Sequence, residues 1–224
     1  MKRSMLFLLA AALPLHGVAQ LVQFPVGRAI PDGSSAGLVN VQQITAPALP
    51  ILDLNVRLVV SGLNGSAYNG DLFVTLQHDS GYVVLLNRVG RDTGRPFGYG
   101  DNGLDVLLDD EAANGDIHNY RAVTGPLGGA ELGGVWAPDG RTEDPARVMA
   151  ASPRATSLAS FDGLDPNGTW VLFAADLEPG AQVRLDSWAL EIVAVPEPQA
   201  AAVITVLMLA GVAGWRRRTE RAGQ

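Results

Sequence analysis

Between positions 101 and 116 stand six carboxylates, Asp101, Asp105, Asp109, Asp110, Glu111 and Asp116, with Asn102 and Asn114 among them. Hard oxygen donors at this density suit Ca2+, which takes six to eight of them at about 2.3–2.6 Å. The spacing is not that of an EF-hand loop, because Val106 occupies the place where that loop turns on a glycine. The alternative is an acidic, solvated loop.

Other side chains offer less. Gly33-Ser34-Ser35-Ala36-Gly37 has the G-x-S-x-G form of a nucleophile elbow. That motif needs a strand before it and a helix after it, with an acid and then a histidine later in the chain. Here it follows Pro31-Asp32 and leads into a strand pattern, so it reads as a loop. Beyond the first 19 residues the only histidines are His78 and His118. His78 alternates with strand residues and reads as a surface side chain; His118 falls in a long loop. Two isolated histidines make neither a triad nor a zinc site. No cysteine is present, which excludes disulfides, thiolate metal sites and a cysteine nucleophile.

The two ends read as addresses. Lys2 and Arg3 precede an apolar run from Met5 to Leu15, and Gly17-Val18-Ala19 offers small residues to a signal peptidase. Residues 1–19 are therefore expected to be a signal peptide, with Gln20 as the new N-terminus. At the other end an uncharged apolar stretch runs from Ala200 to Trp215, followed by Arg216, Arg217 and Arg218. It is slightly short for a membrane core, with an interfacial tryptophan and a positive stop on the cytoplasmic side. Val195-Pro196-Glu197-Pro198 precedes it, and its prolines keep that segment extended and accessible.

The 16 basic and 23 acidic residues of the whole chain reduce to 10 and 22 between positions 20 and 198, because Lys2, Arg3, Arg216, Arg217, Arg218, Arg221 and Glu220 lie outside. The resulting −12, with no lysine, argues against nucleic acid or an anionic membrane surface as partner and favours cations or basic partners.

The elements are strands. In residues 51–62, Leu52, Leu54, Val56, Leu58 and Val60 alternate with more polar residues, as in a half-buried strand. Residues 71–78 and 82–89 form a hairpin across Asp79-Ser80-Gly81, and 104–108 is a short apolar strand. Residues 112–156 read as one long loop anchored by Trp136. Strands resume at 157–161, 169–176 and 182–193, with a bulge where the apolar phase changes between Leu185 and Trp188. The expected fold class is all-β, a sandwich or barrel.

These segments resemble the P domain (P/Homo B domain) of proprotein convertases, on Ile30-Pro31-Asp32, 53–60, 68–90, 107–112 and above all 157–192. The resemblance implies a jelly-roll β-sandwich of about eight strands over residues 30–193, after an N-terminal extension at 20–29. In convertases this domain follows and supports a subtilisin-like protease domain; only about ten residues precede Ile30 after residue 19, so the family's catalysis is not carried over. Some bacterial P domains hold calcium, which makes Asp71, Asp109, Asp110 and Glu111 the expected Ca2+ ligands. Residues 194–224 resemble a PEP-CTERM sorting signal: the motif Val195–Pro198, the span 200–215 and the basic tail 216–224. That resemblance implies an exosortase as processing enzyme and a Gram-negative host, with passage through the inner membrane to the cell surface or polysaccharide matrix. The expected function is a non-catalytic binding or structural module; the alternatives are a carbohydrate-binding module, with Trp136 as a stacking platform, or an accessory subunit of a separately encoded protease.

Overall fold

The structure, a computed structural model, describes residues 18–45 and 49–194. The sorting residues Val195, Pro196, Glu197, Pro198, Arg216, Arg217 and Arg218, and all of the signal peptide but its last two residues, lie outside these. Among the described residues no helix is long and apolar enough to cross a membrane.

Among the described residues nine strands form two sheets. They are β1 (Val18–Ala29), β2 (Ser34–Ile44), β3 (Ile51–Gly62), β4 (Leu72–His78), β5 (Gly81–Asn87), β6 (Leu104–Leu108), β7 (Leu132–Trp136), β8 (Gly168–Asp176) and β9 (Val183–Ala194). The first sheet has the order β1-β9-β3-β6-β7 and the second β2-β8-β4-β5. Every pairing is antiparallel except β6 with β7. The all-β sandwich expected from the strand pattern is what forms.

Period-two patterning explains why the sheets close on each other. Leu54, Val56, Leu58 and Val60 of β3 and Leu72, Val74 and Leu76 of β4 are buried in one apolar core. Each such side chain contributes about 1.5–3 kcal/mol. Trp136, Trp170 and Trp188 are also fully buried, and each indole donates its one N–H: to Gly133 O, Pro166 O and Asn40 Oδ1, all at 2.9 Å. Placing that polar tip lets so large a ring sit inside. Trp136 is thus an interior anchor and presents no face to a sugar.

Several expectations are corrected. Leu52 is not on the core face: the β3–β9 register shifts between Ile51 and Asp53, and this irregularity turns Leu52 outward. The segment expected as an N-terminal extension is strand β1, paired with β9 from Val18 to Ala29, so the sandwich starts ahead of Ile30. Residues Leu158–Phe161 are a 3-10 turn rather than a strand, because their two apolar residues are three apart and both face inward. The long loop contains β7 and one turn of helix, α1 (Arg121–Thr124). The bulge expected in the last strand falls at Asp186, where the ladder passes from Leu185 to Ser187 on both flanks.

Candidate functional site

Carboxylates from three separate segments meet at one pocket. Asp53 enters from the start of β3, next to the outward Leu52. Asp109, Asp110 and Glu111 follow the end of β6, where Asp109 N–H donates to Trp136 O at 2.9 Å and ties the turn to β7. Asp162 follows the 3-10 turn. Together with Leu52 and Ala159 they line an open pocket of about 370 Å³.

Local hydrogen bonds fix part of this acidic rim. Glu111 N–H donates to Asp109 Oδ1 at 2.8 Å, and Ala159 N–H donates to Asp110 Oδ2 at 2.9 Å. The other oxygen of Asp110 is buried without a hydrogen-bond partner. Three of the carboxyls have a pKa raised above the ordinary carboxyl range. Partial burial and then the Asp109 charge push Asp53 up; a hydrogen bond with Asp109 pushes Glu111 up; burial, Asp53 and Asp110 push Asp162 up. Asp53, Glu111 and Asp162, each raised in part by acidic neighbours, are groups that a cation would relax. Among the described residues, no three histidine, cysteine or acidic side chains already stand at metal-coordinating distances. Cation binding therefore requires the acidic side chains at the pocket to swing inward.

Of the four residues expected to hold Ca2+, Asp109, Asp110 and Glu111 come together here, and Asp71 does not line this pocket. Asp71 ends the 3-10 turn before β4, beside Asp176 at the end of β8. The rest of the acidic run is spoken for: Asp101 accepts from Tyr120 Oη and Arg121 Nε, Asp105 pairs with Arg57, and Asp116 with Arg141.

Both described histidines are interior. His78 is buried, with Nδ1 2.9 Å from Thr169 O and Nε2 2.7 Å from Asp165 O. The surface position expected from its alternation is wrong because the turn 165–168 folds over it. His118 Nδ1 is 2.7 Å from Asp139 Oδ2 with both side chains fully buried, and Asp139 also meets Arg141 at 3.1 Å. This histidine–aspartate pair has no approach from solvent. Ser35 is an exposed residue on β2, without the helix that a nucleophile elbow requires.

No family model matches this chain.

No curated protein matches it either. Among solved structures it is similar to the Aeromonas sobria serine protease in complex with the chaperone ORF2, at 16% identity and a TM-score of 0.44, covering 84% of this chain and 28% of that one. It is similar to the same organism's serine protease alone at 15% identity and a TM-score of 0.43, covering 83% and 28%. The chain thus spans under a third of the length of the solved chains it resembles.

Asp53 and Asp162 were not legible as site residues. Asp53 reads as the polar phase of a strand, and Asp162 as part of a turn; the long-range bonds from Gly163 N–H to Ile51 O at 2.7 Å and from Ile51 N–H to Leu164 O at 2.9 Å bring the two segments together.

Proposed function

We propose that this chain is an exported, non-catalytic module of the P-domain type, with jelly-roll connectivity, whose acidic pocket binds a divalent cation of the Ca2+ class. The observation that carries the reading is the convergence of Asp53, Asp109, Asp110, Glu111 and Asp162, from three segments, on one open pocket. Burial of both described histidines and the plain strand setting of Ser35 support a binding role over a hydrolytic one. The leader at 1–19, the Val195–Pro198 motif and the arginine cluster support export and sorting to the cell surface or matrix.

The segments that carry the family resemblance fall on the ladders: 53–60 within β3, 68–90 across the β4–β5 hairpin, and 157–192 across β8 and β9. Calorimetric titration with Ca2+ tests the proposal: saturable binding that is weakened by Asp110→Asn supports it, and no heat and no thermal shift would sink it.

A second reading places a sugar on the ion. A pocket of about 370 Å³ leaves room beside a cation for paired hydroxyls. Glycan binding that appears with Ca2+ and vanishes in EDTA would distinguish this from ion binding alone.

A further inference from the structure

Among the described residues each sheet ends in two edge strands, β1 and β7 in the first, β2 and β5 in the second. An open edge presents unpaired N–H and C=O groups to any strand that reaches it, and proteins blunt such edges with proline, charge, bulges or covering segments. Three of these four edges are blunted. β1 carries Pro25, which has no N–H to offer, and Arg28, and its register breaks between them. Two carbonyls of β7 are taken by side chains: Trp136 Nε1 donates to Gly133 O at 2.9 Å and Asn114 Nδ2 to Val135 O at 3.0 Å. β5 is covered by the chain that follows β7. Asp139 N–H and Gly140 N–H donate to Leu85 O and Val84 O at 3.0 and 2.9 Å. The N–H groups of Tyr82, Val84 and Asn87 donate to Ser160 Oγ, Thr156 Oγ1 and Asp139 Oδ2, each at 3.1 Å.

β2 has none of these devices between Leu38 and Ile44. The whole strand, SSAGLVNVQQI, holds no proline and no charged residue. Its register with β8 is unbroken from Leu38 to Ile44, and among the described residues the backbone of 38–44 pairs with β8 alone. Leu38 and Ile44 are buried toward the core, so by alternation Val39 and Val41 face outward, 50% and 53% exposed. They continue an apolar strip. Val39 stands opposite Phe173 and Val41 opposite Val171, and Phe73 meets Phe173 edge to face at 6.2 Å.

We propose that two copies of this chain pair antiparallel through β2, edge to edge about a twofold axis, joining two four-stranded sheets into one of eight. Antiparallel pairing is symmetric, so one edge serves both copies, as an isologous contact requires. Copies of a chain at −12 repel each other, and β2 is an approach that carries no charge. Without charge this edge selects no partner by sign; what it complements is an uncharged strand with alternating valines, which is β2 itself. With the axis at Asn40, Val39 of each copy lies across from Val41 of the other. These cross-strand pairs carry the apolar strip over the junction.

The test is sedimentation of the full chain in a mild nonionic detergent across a dilution series. The wild type is expected as two chains per particle at the concentrated end. Val39→Lys/Val41→Lys sets like charges across the axis and is expected as a single chain; both positions are exposed, so the fold accepts lysine. Leu21→Lys, at an exposed apolar position on β1, is expected to leave the pair intact. Because the chain has no cysteine, oxidative cross-linking reads the register. A mixture of Val39→Cys and Val41→Cys chains is expected to give more disulfide-linked dimer than either variant alone. The proposal is overturned by a wild type that stays a single chain throughout, or by a lysine pair variant that still dimerises. It is equally overturned if Leu21→Lys separates the copies as readily, or if the mixture cross-links no better than its components. None of these outcomes bears on cation binding at the pocket.

Discussion

His78 lies flat against Trp170, the ring centroids 4.2 Å apart and the planes within 5°. Phe161 covers the same indole at 5.2 Å, so the turn at 165–168, the 3-10 turn and β4 are fastened through one aromatic stack. Asp165 Oδ1 accepts from Asn167 N–H at 3.0 Å and Gly168 takes φ +112°, which shapes the turn that brings Asp165 O onto His78 Nε2.

His78→Phe keeps the stack and removes both polar contacts. It is expected to destabilise by about 1 kcal/mol, the net worth of the one hydrogen bond a neutral imidazole N–H donates, and His78→Ala by more, since it also opens a void beside Trp170. Urea denaturation checks this; equal midpoints for His78→Phe and wild type would show that the ring nitrogens contribute nothing.

Stability without divalent cations should fall as pH rises from 5 to 8. Burial raises Asp71 and Asp176 to about 7, with the neighbouring carboxylates adding and Arg88 opposing. The unfolded chain releases these protons near pH 4, so the folded state binds more protons through the window between about 4 and 7. Their contribution is complete below the unfolded value and lost as pH passes the folded one. In EDTA the urea midpoint should therefore decline across that range, and Asp176→Asn should flatten the decline. A midpoint that rises with pH would contradict the assignment.

Gly70→Ala should be among the most damaging small substitutions. A Cβ at Gly70 would stand 2.1 Å from Phe97 O and 2.7 Å from Tyr99 N, both backbone atoms that cannot step aside. The expected cost is about 3 kcal/mol, because the segment 97–99 must move off the entry to β4. A variant with an unchanged melting temperature would show that the two segments separate freely.

Export and sorting have a direct readout in intact mass by cell fraction. The expected product begins at Gln20 and ends near Pro198, in the envelope or medium. Cleavage after Ala19 removes only the first two residues of β1 and leaves its pairing with β9 from Gln20 onward. A membrane-bound chain still carrying Trp215 and Arg216 would make the tail a permanent anchor.

What the sequence discloses follows from how local each cause is. Alternation in β3, the β4–β5 hairpin and the phase change at Asp186 are written within a few neighbouring residues, and each was legible. Strand β7 was not: its Leu-Gly-Gly-Val-Trp run has little strand propensity and forms because β6 lies parallel beside it. Strand β1 likewise depends on β9, distant in sequence. The acidic run was legible, but not which of its members would be free, since Arg57, Arg121 and Arg141 reach their carboxylates from elsewhere in the chain or fold.

The central claim is cation binding at the pocket of Asp53, Asp109, Asp110, Glu111 and Asp162. Calorimetric titration of the full chain with CaCl2 at pH 8, repeated with Asp53→Asn/Asp110→Asn/Asp162→Asn, tests it most directly. The account predicts saturable binding in the wild type and loss of one binding event in the variant. Identical isotherms for the two proteins, or no binding by either, would contradict it.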